Sequence, residues 1–197
     1  MTDHGPGYRT PARLLHWTVA LLVLLMIPAG VTMIQEGIGR SLQNTLFIFH
    51  KNMGVVVLVL VLLRLIYRRL NPPPPLPDAV PPAQARIAAA THAALYALLV
   101  IVPLAGYIRV RAGGFPVEAL DAMGLPTLVP RSDALAEIAK NVHWAGGLAL
   151  AGIVALHVGA ALFHGIIRRD GIFSRMWPPV RRRAAGAPLA AAQRKHM

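Results

Sequence analysis

Four long stretches of the chain, residues 14–34, 46–63, 87–108 and 141–167, are almost wholly apolar and hold a single charged residue between them, Lys51. At about 1.5 Å of rise per residue each can cross a hydrocarbon core of about 30 Å, the second with help from its flanks. The pattern predicts an all-α membrane protein, a four-transmembrane-helix bundle with spans near 11–34, 44–67, 87–108 and 138–168. Polar punctuation separates them. Thr10-Pro11 reads as an N-cap hydroxyl followed by proline in the first turn. Residues 35–43 read as a polar turn. Pro72–Pro75, Pro77, Pro81 and Pro82 form an extended connector that cannot be helical. Pro103 is expected to kink the third span. A loop of about 30 residues from Arg109 to Lys140 carries Gly113-Gly114, Pro116, Pro126 and Pro130, and Ser132 and Asp133 are N-caps for a helix running into the fourth span. Residues 1–178 form the bundle, and the basic 179–197 tail is expected to be disordered.

Composition sharpens this picture. The 197 residues are 55% hydrophobic and carry 20 basic against 8 acidic groups, a formal +12. Such an excess suggests nucleic acid only when the charges are spread over a polar surface. In this chain fourteen of the basic residues fall on the side that holds both termini and the proline connector, and six on the other. The imbalance predicts both termini in the cytoplasm, with the excess attracted to anionic lipid headgroups and no role in binding nucleic acid. The first span follows Arg9 and Arg13 and superficially resembles a secretory signal. It exceeds the usual signal core and three more spans follow, so it is expected to remain. The absence of cysteine removes disulfides, thiolate chemistry, iron–sulfur clusters and thioether-attached haem.

Chemistry is left to the histidines. His4 and His196 lie in the tails; His16, His50, His92, His143, His157 and His164 lie in or at the ends of spans. Polar groups at such depth are costly and are functional by default. His50 and His143 begin spans that run from outside to inside, whereas His16 begins a span at the inner surface. His157 follows His143 by fourteen residues, about 40° short of four full turns and about 21 Å along the axis. One helix thus presents two imidazoles, on one face, to an outer and an inner layer. Two neutral imidazoles from different helices are a common axial set for haem b. Gly54, Gly146 and Gly147, three or four residues after an outer histidine, make room beside that pair, and Gly30 follows His16 by fourteen residues. Spacing leaves both His157 and His164 open as the partner of His16.

The chain at this point resembles the bacterial cytochrome b561 family, which includes the diheme b subunits of membrane hydrogenases and formate dehydrogenases. The likeness spans about residues 8–178. It rests on Arg13-Leu14-Leu15-His16-Trp17, Phe49-His50-Lys51, Leu63-Arg64-Leu65, His92-Ala93-Ala94-Leu95-Tyr96, and Val142-His143 through Leu156-His157 to Phe163-His164. The resemblance implies two noncovalent b haems, the inner on His16 and His157 and the outer on His50 and His143. It also implies a quinone as electron partner, with His164 and His92 as candidates for its pocket. It places the chain in a bacterial inner membrane. The short stand-alone members are similar to a superoxide oxidase that reduces ubiquinone, for which Arg40, Lys51, Arg109, Arg111 and Lys140 would attract the anion. Two alternatives are weighed. A cytochrome subunit docked on a larger dehydrogenase or hydrogenase would keep the haems and use a partner face on the 109–140 loop, in place of a periplasmic redox protein or superoxide. A bundle moving metal ions or protons would need carboxylates among the spans, and the four apolar stretches contain none.

Overall fold

The computed structural model describes residues 7–77 and 80–178. His4, His196 and the basic 179–197 tail lie outside the described residues. Five helices follow in order: α1 (Thr10–Thr32), α2 (Arg40–Leu70), α3 (Pro82–Ala112), the short α4 (Glu118–Ala122) and α5 (Asp133–Leu162). A π-helical turn, Phe163–Arg168, continues α5, and a 3₁₀ turn follows at Phe173–Arg175. Four of these elements are long and apolar enough to span a membrane. The 31 residues of α2 and of α3 measure about 46 Å. Both therefore overrun the hydrocarbon and carry polar ends into the headgroups. Large apolar side chains such as Leu21, Ile66, Leu148 and Leu156 point outward, as lipid contact requires.

Local signals account for most helix ends. Ser132 takes the N-cap of α5 and its hydroxyl accepts a bond from the Leu135 N–H at 3.3 Å. The expected Thr10 cap is not made: Thr10 is already helical, Arg9 stands at the cap without a capping side-chain bond, and Pro11 lies in the first turn. α3 runs through Pro103 without interruption. The proline segment 72–77 has no regular structure.

Backbone packing joins α1 to α2, α2 to α3 and α3 to α5, whereas α5 makes little backbone contact with α1 or α2. The core between the helices is layered. Val23, Val57, Leu99 and Leu150, one from each spanning helix and each no more than 8% exposed, share one apolar cluster with Val19 and Val61. Seven residues to one side of these four lie Gly30, His50, Gly106 and His143; seven to the other lie His16, Arg64, His92 and His157. Seven residues bring a helix nearly back to the same face, about 10 Å along. A sealed apolar layer therefore separates two polar ones.

The two ends are closed differently. At the end remote from the described termini, hereafter the outer end, α4 is tied across α2. Lys51 Nζ meets Glu118 Oε1 at 2.5 Å and the Pro116 carbonyl at 2.9 Å, and Asn52 bonds Glu118 Oε2 and the Ala119 N–H. Buried Arg111 holds Asp121 through both carboxylate oxygens. At the other, inner end, the segment after the π turn straps the bundle. Trp17 Nε1 donates to the Met176 carbonyl at 3.0 Å, Arg13 to Pro178 at 2.9 Å, and Arg175 to Pro74 and Pro75 at 2.6 and 2.7 Å. Arg175, only 8% exposed, is thus a strut between the strap and the proline connector.

The outer tie has a pH signature. Partial burial pushes the Glu118 carboxyl up, but Lys51 and Asn52 hold it below its ordinary value on balance. A lowered folded pKa contributes stability that is full above about pH 4.5 and is lost as pH falls through the folded value. For a pair this exposed the contribution is about 1 kcal/mol or less. Limited proteolysis of the 113–131 loop is expected to quicken below about pH 4.5. Glu118→Gln should give the faster rate already at pH 7 and flatten the acid dependence; an unchanged profile would show that the tie does not hold α4.

Candidate functional site

The two polar layers bring the spanning histidines together in pairs. In the outer layer the rings of His50 (α2) and His143 (α5) meet edge-on with centroids 5.9 Å apart and planes at 83°. In the inner layer His16 (α1) and His157 (α5) meet edge-on at 6.3 Å and 77°. Both pairs bridge helices whose backbones hardly touch. His164 does not join them: it sits in the π turn, where its Nδ1 lies 2.5 Å from Asp170 Oδ2. His92 (α3) lies in the inner layer with its ring 5.5 Å from that of His157.

Glycines shape the outer pair, and they come from the neighbouring helices. A Cβ on Gly106 of α3 would lie 2.9 Å from His143 Cε1 and Nδ1; one on Gly30 of α1 would lie 2.9 Å from His50 Cε1. Each ring therefore occupies the space of a missing side chain. One turn earlier on each helix stands a carbonyl. That of Val102 accepts the His143 Nδ1–H at 2.8 Å, whereas His50 Nδ1 makes no such bond to Met26. The bond occupies Nδ1 of His143, so only Nε2 of that ring is left to act as a ligand. Gly54, Gly146 and Gly147 do other work or none: Gly146 admits Val102, Gly54 is in ordinary contact with Met26, and Gly147 faces open space.

The imidazoles brought together in each layer have the donor chemistry to hold a metal-centred group. The Nδ1 atoms of His16 and His50 are buried without a hydrogen-bond partner among the described residues. Among the described residues no three His, Asp or Glu side chains converge on a common position for a bare metal ion.

At the inner rim, burial pushes the Asp170 carboxyl up, yet the His164 N–H and the Ile172 N–H hold it below its ordinary range. The carboxylate fixes the His164 ring through Nδ1 and leaves Nε2 for another molecule. At the outer rim the expected anion-attracting charges divide. Lys51, Arg111 and Lys140 pair with Glu118, Asp121 and Glu137, while Arg40 and Arg109 form no ion pair among the described residues. A cleft of about 390 Å³ between Arg111, Phe115, Asp121 and Arg131 opens beside α4.

Gly106, Arg64 and Asp170 are absent from the set that the sequence suggested. The signal for two of them was there, because His92 to Gly106 and His50 to Arg64 repeat the fourteen-residue interval of His143 to His157.

Comparison with known proteins agrees with this architecture. A sequence profile described as prokaryotic cytochrome b561 matches residues 7–179. Cytochrome b561 homolog 2 of Escherichia coli (strain K12) is 28% identical over 177 residues, covering 89% of this chain and 93% of that protein. Cytochrome b561 homolog 1 of the same organism is 32% identical over 167 residues, covering 83% and 93%. The chain belongs to the prokaryotic cytochrome b561 family, multi-pass membrane proteins of electron transfer whose cofactor is haem b.

Proposed function

We propose that the chain is a diheme cytochrome linking the quinone pool to a redox partner on the opposite side of a bacterial inner membrane. The observation that carries this reading is the presence of two opposed imidazole pairs, one on each side of a sealed apolar layer. His16 and His157 would hold the inner haem, His50 and His143 the outer. Bound haem b supplies reversible one-electron chemistry at iron. The protein supplies orientation through Val102, Gly30 and Gly106, and exclusion of water through Val23, Val57, Leu99 and Leu150. The arginine-rich inner end faces the cytoplasm by the positive-inside rule, with both termini there. A quinone carbonyl at that rim needs a hydrogen-bond donor and a proton source, and His164, held by Asp170, has the chemistry for both. His92, packed against His157 in the inner layer, is a second polar group for that region.

Superoxide fits the outer end as donor. Arg109 lies within electrostatic reach of both outer histidines and would draw a small anion to that layer. The defining experiment is a reduced-minus-oxidised spectrum of the purified chain with pyridine haemochrome quantification. Two noncovalent b haems per chain are expected, and fewer in fully loaded protein would overturn the reading. Superoxide-driven ubiquinone reduction by the chain alone then separates a stand-alone enzyme from a subunit that must dock on a larger dehydrogenase.

A further inference from the structure

The inner layer holds more than two imidazoles, and its fourth member carries a charge. Arg64 occupies on α2 the level that His157 occupies on α5, fourteen residues from its helix's outer histidine. It is partly buried. Its guanidinium lies over the Tyr96 ring at 5.4 Å, and Arg68, one turn on, lies over the same ring at 5.8 Å. Arg64 is within electrostatic reach of His16, His92 and His157. Among the described residues no carboxylate pairs with either arginine.

The other inward-placed arginines are treated differently. Arg111 holds Asp121, Arg175 holds the Pro74 and Pro75 carbonyls, and Arg13 holds those of Ser174 and Pro178. Two neighbouring guanidiniums at membrane depth, given an aromatic face and no carboxylate, repel one another and are costly to desolvate. A planar fork of donors is built to take a carboxylate bidentately. The outer layer makes the contrast: at the same α2 position it has a histidine, and its α1 and α3 positions are glycine.

We propose that Arg64, supported by Arg68, binds the propionate carboxylates of the haem held in the inner layer. This rests on the two-haem reading above. It assigns to the α2 exit arginines a ligand that neither axial pair accounts for, and it makes the inner site the more electropositive of the two. A nearby cation favours the ferrous over the ferric state, so Arg64 raises the inner midpoint potential.

The test uses the full chain with both haems bound, purified in neutral detergent, as wild type, Arg64→Gln, Arg64→Lys and Arg64→Gln/Arg68→Gln. Each haem is titrated potentiometrically. Redox-difference infrared spectra are recorded with haem carrying ¹³C-labelled propionates. Arg64→Gln is expected to lower the inner midpoint, leave the outer one in place and move the labelled carboxylate band. The double variant should go further, and Arg64→Lys should restore much of the potential because it keeps the charge. If Arg64→Gln does not accumulate, the comparison of Arg64→Lys with wild type still decides, since replacing a fork by a point charge must shift the labelled band.

A labelled band and an inner midpoint indifferent to all three variants would overturn the proposal. So would a shift seen only after anionic phospholipid is added back, which would make a lipid headgroup the anion held. A wild-type chain with one haem would sink the two-haem reading and this one together. Two haems with an Arg64-insensitive propionate would sink this one alone.

Discussion

On the proposed two-haem reading, a His143→Ala chain is expected to carry one haem fewer than the wild type, and the haem that remains should be the inner one. His143 is half of the outer pair, and its ring is set by the Val102 carbonyl at 2.8 Å and by the space at Gly106. With His143 removed, His50 has no facing imidazole within the outer layer. His50→Ala should therefore give the same product, and the double variant should be no worse than either single. Removing one ligand from a two-ligand site does not act additively with removing the other. His157→Ala should delete the complementary, inner haem, as should His16→Ala. His164→Ala should retain both haems, because its ring is bonded to Asp170 and lies outside the pairs. Low-temperature difference spectra with haemochrome counts check each product. If His164→Ala emptied the inner site while His157→Ala left it filled, the pairing of His16 with His157 would be wrong.

Gly106→Val is expected to weaken the outer site by about 10- to 100-fold in haem affinity, the usual scale for losing a group that orients a metal ligand. Even the Cβ would stand 2.9 Å from two atoms of the His143 ring, closer than packed atoms tolerate. The ring cannot yield cheaply, because moving away from α3 breaks its bond to Val102. Gly30→Val should act on the same haem through His50. Gly147→Ala is the control: nothing lies within 4 Å of the added carbon, so both haems should remain. Haem occupancy after expression under limiting haem supply reads the difference. Full outer occupancy in Gly106→Val would mean that the glycine serves helix packing alone.

The four spans were legible in the sequence because lipid leaves a chain few options, and long uncharged runs can only be helices there. The outer ends of α2 and α3 read short, at residues 44 and 108, since hydropathy marks where the hydrocarbon stops and not where the helix does. The two rows of histidine were legible because both lie on α5, where interval alone decides depth. What lies across from them was not. Gly30 reads as a companion of His16 along its own helix, but it serves His50 on the next one. Gly106 lies fourteen residues after His92, but that interval does not reveal that the ring it accommodates is His143, 37 residues away in span four. Lys51 and Arg111 read as anion-attracting charges, but Glu118 and Asp121 reach them from α4, a helix too short to be visible in a loop with so many glycines and prolines. The Thr10 cap failed for a local reason: helix geometry begins at Thr10, leaving Arg9 at the cap.

The fourteen-residue interval also has an electrical meaning. Two layers about 21 Å apart in a hydrocarbon slab of about 30 Å enclose roughly 0.7 of its thickness. An electron exchanged between haems held in the two layers would therefore move through most of the transmembrane voltage, worth about 1.6 kcal/mol per 100 mV on the scale of about 2.3 for a full crossing. That is a bias of about fifteenfold per 100 mV on the equilibrium between the layers. In an energised membrane, negative inside, the voltage favours electrons at the outer layer and opposes their passage inward. An electropositive inner layer built around Arg64 pulls the other way.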